Sequence, residues 1–414
     1  MLTIKDIKIV LTAPMGRNLV VAKVQTSEPG LYGLGCGTFT QRFGAVAAAL
    51  REHLVPLMIG RDPTRIEENW RLMMFNGYWR GGPVLNNAVS AIDMALWDIQ
   101  AKLAGMPLYQ LLGGKVREGC AVYQHADGTT IEAVEAHAQA LLDIGLRHVR
   151  PRLGGDSVQT RASGETGGMA YGGPSVSADH RPENAPAGAY YDPAVYTRGT
   201  LKMFERLRKT FGDTVELLHD VHGRLSPIDA MRFAKDLQAF RLFFLEDPLR
   251  LEDLGWHERL RQATVTPIAM GELFTSAEQW TPLIVNRQID FLRMHLSDVG
   301  GLTPARKIVA MAESFGVRTA WHGPGDCSPI GHAVHLHLNL ASINFGIQEL
   351  QPFSETTERV FPGCPQLRRG YLYPNDKPGH GIDLDEKLAE QYPCEAKVVA
   401  WTQARLPDGT LTQP

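Results

Sequence analysis

Three carboxylates each close a short apolar run in the middle of the chain. Val215-Glu216-Leu217-Leu218-His219-Asp220 ends in Asp220, Leu242-Phe243-Phe244-Leu245-Glu246 in Glu246, and Pro267-Ile268-Ala269-Met270-Gly271-Glu272 in Glu272. Positions 220, 246 and 272 are separated by 26 residues in both steps. A strand of about five residues, a helix of about ten to fifteen and two loops fill that length, so each acid closes one βα unit. Consecutive right-handed units bring the C-terminal ends of their parallel strands side by side. Three like charges at contact distance repel unless a cation separates them, and hard carboxylate oxygens suit Mg²⁺. One strand-end acid alone would be read as the cap of the helix that follows. Three at equal spacing point to a divalent-metal site held by Asp220, Glu246 and Glu272.

The elements that must position these acids can be followed along the chain. Residues 1 to 35 read as two or three strands, with Ile4, Ile7, Ile9, Leu19, Val21 and Val24 in β-rich runs and turn signals at Pro29-Gly30 and Gly33-Leu34-Gly35. Helical patterns follow over about 44–58, 63–75 and 86–103. Asp62-Pro63 supplies an N-cap and an N1 proline, and Val89, Ile92, Leu96, Ile99 and Leu103 form one apolar stripe. Strands followed by helices predict an α+β domain over about 1–115. Eight strand candidates come next, around Val122, Val149, Leu217, Phe244, Ile268, Phe291, Thr319 and Phe345, most followed by a helical pattern. That rhythm predicts an α/β barrel over about 116–373, with chemistry at the C-terminal strand ends. Those ends carry His125, Arg150 with Arg152, Asp220 with His222, Glu246, Glu272, Arg293, His322 and Glu349. His222 lies two residues past Asp220, which in an extended chain places both side chains on one side. Residues 154–199, rich in Gly, Ser, Pro, Ala and Tyr, read as a long loop on the active face, a lid. The tail, 374–414, holds strand-like pieces near Val398 and Leu411 and is expected to return to the N-terminal domain.

Composition excludes several classes. A net charge of −3 and a pI near 6.5 give no bias toward nucleic acid or an anionic membrane. No apolar run approaches the length of a membrane span, and the start is strand-like rather than a signal peptide. Cys36, Cys120, Cys327, Cys364 and Cys394 are scattered without metal-type spacing, the usage of a reducing cytoplasm. His332, His335 and His337 look like a metal motif, but they fall in a helical stretch where His335 and His337 cannot share a face.

With these residues in view the chain resembles the enolase superfamily, and within it the D-mannonate dehydratase subgroup. The general markers are Ala88-Val-Ser-Ala-Ile-Asp-Met-Ala-Leu-Trp-Asp98, Pro107-Leu-Tyr-Gln-Leu-Leu-Gly-Gly114 and the three barrel acids. The narrower ones include His219-Asp220-Val221-His222, Leu245-Glu246-Asp247-Pro248, Gly300-Gly301-Leu302-Thr303-Pro304 and Trp321-His322-Gly323-Pro324. The resemblance implies a (β/α)₇β barrel holding one Mg²⁺. An α+β capping domain, built from the N-terminus and the C-terminal tail, would sit over it. It also implies abstraction of the proton α to a carboxylate.

Individual roles follow from the same likeness. Arg150 and Tyr171 match the subgroup's base pair, since an arginine beside a phenol favours the phenolate. Tyr190 and Tyr191 are rivals in the same loop. His222 would give a proton to the departing 3-hydroxyl. His125, Arg293, His322, Glu349 and Thr40 would contact the substrate, and Trp79 and Arg80 would line the pocket. Arg150-Pro151-Arg152 replaces the Lys-x-Lys of the lysine-base branches, and Arg293 stands where the His-Asp branches need an acid. Thr40 and Pro324 depart from the subgroup's pattern. The expected activity is dehydration of D-mannonate or D-gluconate to 2-keto-3-deoxy-D-gluconate by a cytoplasmic homo-oligomer. A sugar-acid-binding or regulatory protein of low turnover is the alternative.

Overall fold

The computed structural model describes residues 1–154, 181–398 and 400–413. By packing, the chain forms two compact units. The first comprises Met1–Val122, Gly271–Arg287 and Leu292–Ala396; the second comprises Tyr123–Met270, Gln288–Phe291 and Lys397–Pro414.

The first unit opens with an antiparallel sheet, β1 (Ile4–Thr12), β2 (Leu19–Thr26) and β3 (Tyr32–Cys36), hydrogen-bonded in chain order. Gly33-Leu34-Gly35 is not a turn but lies inside β3. Its glycines serve a close approach. A Cβ at Gly33 would stand 2.0 Å from the Ala95 carbonyl oxygen, and one at Gly35 2.0 Å from that of Ala91. Glycine at alternate positions thus clears one face of β3 for the backbone of a helix. Helices α1 (Phe43–Ala48) and α2 (Val55–Met58) are joined by a wider π turn, Ala49–Leu54. Helix α3 (Ile66–Phe75) starts later than Pro63, because Asp62 is engaged by the backbone and hydroxyl of Thr64 in a turn of its own. Helix α4 (Pro83–Leu103) begins at a proline and packs on β3. Val89, Ile92, Leu96 and Ile99 are fully buried, each stabilising by about 1.5–3 kcal/mol, while Leu103 at the end of the stripe is exposed.

Two buried acids of α4 tie distant segments to it. Asp98 accepts hydrogen bonds from the backbone of Leu34 and of His380 (3.0 Å each) and pairs with Lys102 at 2.7 Å. Glu386 in the tail reaches Lys8 and Lys23 at 2.5 and 2.6 Å. Asp93 accepts from the backbone N–H of Thr303 at 2.9 Å and shares a 2.5 Å contact with its hydroxyl. Burial pushes the Asp93 carboxyl up to about 7, against those hydrogen bonds. Between about pH 4 and 7 the unfolded chain has released a proton that the folded chain keeps, so this group's contribution to stability falls as pH rises. We expect Asp93→Asn to remove that slope. From pH 5 to pH 8 the parent should lose a few kcal/mol relative to the variant in denaturant unfolding, and parallel curves would refute the assignment.

A short helix α5 (Leu108–Leu111) leads into the barrel strands. These are β4 (Cys120–Gly128), β5 (His148–Leu153), β6 (Glu216–Asp220), β7 (Phe244–Glu246), β8 (Ile268–Met270), β9 (Phe291–Leu292), β10 (Arg318–Trp321) and β11 (Phe345–Glu349). They hydrogen-bond in that order, with β11 beside β4, as a parallel eight-stranded barrel. All eight strands predicted from the sequence are present. A hairpin, β12 (Gln366–Arg368) and β13 (Tyr371–Tyr373), extends the sheet at β4. The connecting helices follow the strands, and Ser226, Ser328 and Ser354 accept backbone N–H groups at three of their N-termini. After β5 a helix begins at Pro193, inside the stretch read as loop, with Asp192 capping it.

The last residues do not form the strands expected near Val398 and Leu411. Val398 is exposed, and Arg405 makes isolated bridges to Tyr190 and Leu411. Arg405 exchanges backbone hydrogen bonds with Ala189 and Tyr191 instead. Among the described residues no helix is long and apolar enough to cross a membrane.

Candidate active site

Within the second unit, the ends of β5, β6 and β7 place one guanidinium between two acids. Asp220 and Glu246 are register partners. Arg150 donates to Glu246 Oε2 at 2.9 Å and stands 3.3 Å from Asp220 Oδ2. All three side chains are buried, the Glu246 carboxylate completely. Buried carboxylates demand compensation by a cation, which Arg150 provides here. His125 lies on β4 in register with Arg150 and stacks beside Tyr123.

His222 is not in extended chain. Strand β6 ends at Asp220, and the backbone then turns through a left-handed residue at His222 (φ 58°). The turn is held by the N–H groups of Val221 and Gly223 on the carbonyls of Glu246 and Asp247, and by the His222 N–H on Asp220 Oδ1 at 2.7 Å. The alternation argument for His222 therefore fails, although its backbone N–H stays bonded to the Asp220 carboxylate two residues earlier.

Arg152 forms a two-pronged ion pair with Asp127 at 2.7 and 2.8 Å. Burial raises the Asp127 carboxyl, but the Arg152 guanidinium outweighs it and holds the group below its usual range. Tyr171 lies outside the described residues. Of its rivals, Tyr190 donates its hydroxyl to the Pro186 carbonyl at 2.6 Å. Tyr191 is buried, which pushes its phenol above the ordinary value despite the Arg224 guanidinium nearby. A phenol raised in this way is a poor base.

Within the first unit a second cluster gathers at β9, β10 and β11. Arg293, with no exposed surface, reaches Glu272 Oε2 at 3.1 Å and Glu349 Oε2 at 2.5 Å. The His322 Nε2 is 3.3 Å from Glu272 Oε2 and 3.9 Å from Glu349 Oε2. Burial holds the His322 ring down to about 3, so it is neutral at physiological pH. Its Nδ1 meets His295 Nδ1 at 2.9 Å. His295 was missed by sequence reading. The available signal is its place two residues past Arg293, the spacing that drew attention to His222.

Three other expected contacts stand differently. The Thr40 hydroxyl donates to the Asn18 carbonyl at 3.3 Å. Trp79 is 87 % exposed, set edge-on to Tyr78, and the Arg80 guanidinium lies over the Phe75 ring. Both residues are exposed, and the preceding Tyr78 takes a left-handed conformation (φ 64°). His332, His335 and His337 are buried in the helix after β10, where His337 accepts from the Tyr109 N–H.

Ionic side chains at successive strand ends of a parallel barrel define the class of barrel enzymes that work at the C-terminal face. Family models match nearly the whole chain: the mandelate racemase / muconate lactonizing enzyme N-terminal domain over residues 2–113 and the enolase C-terminal domain-like family over 134–388. A D-galactonate dehydratase family member of Musicola paradisiaca is 48% identical over 419 residues, covering 100% of this chain and 99% of the relative. Another, from Pantoea ananatis, is 50% identical with the same coverage. The crystal structure of an enolase from Pantoea ananatis with bound D-gluconate and Mg superposes with a TM-score of 0.94 at 48% identity, covering 100% of both chains. An enolase-superfamily structure from Salmonella Typhimurium, 22% identical over 95% of this chain and 99% of its own, shares the fold with a TM-score of 0.80. The chain belongs to the enolase superfamily and, within it, to the D-galactonate dehydratase family.

Proposed function

We propose that the chain is a Mg²⁺-dependent dehydratase of six-carbon sugar acids, with D-mannonate and D-gluconate as its candidate substrates. The observation that carries this reading is the succession of acids at neighbouring strand ends. Asp220 and Glu246 pair in register, Glu246 pairs with Ala269, and Glu272 follows three residues later. The donor set fits the ion. Asp220 and Glu246 carry two formal negative charges against the one positive charge of Arg150 between them, a net negative site, and Glu272 closes the next strand of the chain with a third hard oxygen donor. Asp220, Glu246 and Glu272 would hold the Mg²⁺, whose chemistry when bound is to stabilise negative charge that develops on the substrate carboxylate. The bound Mg and D-gluconate of the Pantoea ananatis enolase support the assignment.

The residues then divide the work. Arg293, His322, Glu349, His125 and Thr40 orient the carboxylate and hydroxyls. Tyr171, with Arg150 favouring its phenolate, takes the proton from C2. His222 protonates the departing 3-hydroxyl, which leaves as water, and the product is a 2-keto-3-deoxy acid. The five cysteines are unpaired, which suits the proposed cytoplasmic setting.

The test is a panel of hexonates, including D-mannonate, D-gluconate and D-galactonate, assayed for 2-keto-3-deoxy product with and without EDTA. Product that EDTA abolishes is expected. Binding without product from any acid would favour the non-catalytic reading, which Thr40, as a departure from the subgroup's pattern, also motivates. Tyr171→Phe is expected to lower turnover by at least about 10³-fold with Mg²⁺ binding intact, and normal activity in that variant would refute the base assignment.

A further inference from the structure

We propose that Cys36 and Cys327 form a redox pair in which hydrogen peroxide closes a reversible disulfide, tying the end of β3 to the turn after β10 and lowering turnover. The effect on turnover rests on the dehydratase reading; the bridge itself does not. Both cysteines lie in the first unit.

The two sulfurs share the space left by one glycine. Cys36 is the last residue of β3, and Cys327 precedes Ser328, the N-cap of the helix after β10 (Pro329–Ala341). A Cβ on Gly331, in the first turn of that helix, would stand 3.4 Å from Cys36 Sγ and closer than van der Waals contact to Cys327 Sγ. Cys36 has no exposed surface, and Cys327 is 5 % exposed. Both backbones are held in place. The Cys36 carbonyl accepts the Ser90 and Ser297 hydroxyls at 2.9 and 3.2 Å, and the Cys327 N–H donates to the Pro324 carbonyl at 3.0 Å.

The surroundings divide the roles. A thiol at a helix N-terminus ionises more readily, because the free N–H groups and the helix dipole favour the thiolate. Hydrogen bonding by the Cys327 thiol, then by Ser328 and Thr38, holds the Cys36 thiol well below its ordinary value against the burial that opposes ionisation. Burial, with the Cys36 sulfur beside it, pushes the Cys327 thiol well above its own. Cys36 is therefore the attacking sulfur and Cys327 the resolving one. Cys327 lines a pocket with Arg17, Gly325 and Gln351, an entry suited to an oxidant as small as peroxide. The Cys36 thiolate takes one peroxide oxygen, the O–O bond breaks, and hydroxide leaves a sulfenic acid behind. The Cys327 sulfur then attacks that sulfur; the S–S bond forms, the S–O bond breaks, and the oxygen departs as water with the Cys327 proton. The proton given up by Cys36 neutralises the hydroxide, so two thiols and one peroxide yield a disulfide and two waters. Cys36 precedes Thr40 by four residues and Cys327 follows His322 by five, so the bridge joins two segments to which substrate contacts are assigned.

The test treats full-length protein with a small excess of hydrogen peroxide, blocks the remaining thiols with N-ethylmaleimide and maps unreduced peptides by mass spectrometry. The expected result is three labelled cysteines out of five and one linked peptide pair, Cys36 to Cys327, which dithiothreitol releases. Five labelled cysteines, a bridge that involves Cys120, Cys364 or Cys394, or Cys36 carried to its sulfinic acid without a bridge would overturn the proposal. In turnover of D-gluconate, the bridged parent should lose more than about fivefold in kcat and recover on reduction, whereas Cys36→Ala should keep its own untreated rate after peroxide. A bridged parent with undiminished turnover, or an equal loss in Cys36→Ala, would overturn the proposed control. The peptide map needs no activity and no variant. A parent that turns over no sugar acid would therefore refute the dehydratase reading, while the bridge is still decided by mass.

Discussion

Glu246→Gln is expected to abolish turnover, by about 10³-fold or more, and to do so without unfolding the protein. Glu246 has no exposed surface and accepts Arg150 Nη1 at 2.9 Å, with Asp220 as its register partner. Gln has nearly the same volume and still offers Arg150 a carbonyl oxygen. What it removes is one of the negative charges that the proposed Mg²⁺ would neutralise. Without metal, less carboxylate repulsion opposes the weakened bond to Arg150, so the stability of the variant should stay within about 1 kcal/mol of the parent. The difference should emerge on adding Mg²⁺. A ligand at a hundred times its Kd stabilises the folded state by about 2.7 kcal/mol, and that increment should appear in the parent and not in the variant. Thermal melts with and without Mg²⁺, alongside direct titration calorimetry, would measure it. An equal rise in Tm for both proteins would remove Glu246 from the ligand set.

The parts of this architecture that were legible in the sequence are those whose signal is local or periodic. Barrel strands announce themselves as apolar runs, and the equal spacing of Asp220, Glu246 and Glu272 marks three successive units because strand, helix and loops have nearly fixed lengths. Features that depend on a neighbour remote in sequence were not legible. Gly33 and Gly35 carry the composition of a turn, yet they sit in β3 because the carbonyls of Ala91 and Ala95 come within 2.0 Å of where a Cβ would be. The direction of His222 follows from backbone bonds to β7 and its following loop, not from the pleat of β6. Arg152 stands beside Arg150 at a strand end in the sequence, but Asp127, 25 residues away, engages both prongs of its guanidinium. His295 and His322 are 27 residues apart on different strand ends, and neither position alone signals a pair. The buried acids of the Ala88–Asp98 marker are a further case. Asp93 holds the N-terminus of the helix beginning at Leu302, and Asp98 holds β3 and the tail, so this family signature is structural rather than chemical.

Arg293→Met should destabilise the protein by about 3–5 kcal/mol in metal-free urea unfolding, the largest stability effect expected at the site. Arg293 is fully buried and spans two carboxylates, one of which, Glu349, is itself only 1 % exposed. Methionine fills much of the space left by the aliphatic stem, so the loss is chiefly electrostatic. Glu349 would keep the Gly323 N–H at 3.1 Å but lose the cation that makes its ionised form tolerable. Arg293→Lys should fall between parent and methionine variant, because an ammonium is a point charge and cannot reproduce a planar fork reaching two acids at once. The double variant Arg293→Met with Glu349→Gln removes both the cation and one of the charges it served. It should therefore be more stable than the sum of the single losses by about 1–3 kcal/mol, the coupling a double-mutant cycle reads for partners in one buried network. Additive losses would mean that Arg293 and Glu349 do not act on each other, and the 2.5 Å contact would then have no energetic counterpart. If the coupling is found, Arg293 has two separable roles: in the proposed enzyme it orients the substrate carboxylate, and without substrate it is the cation that permits Glu272 and Glu349 to remain ionised side by side.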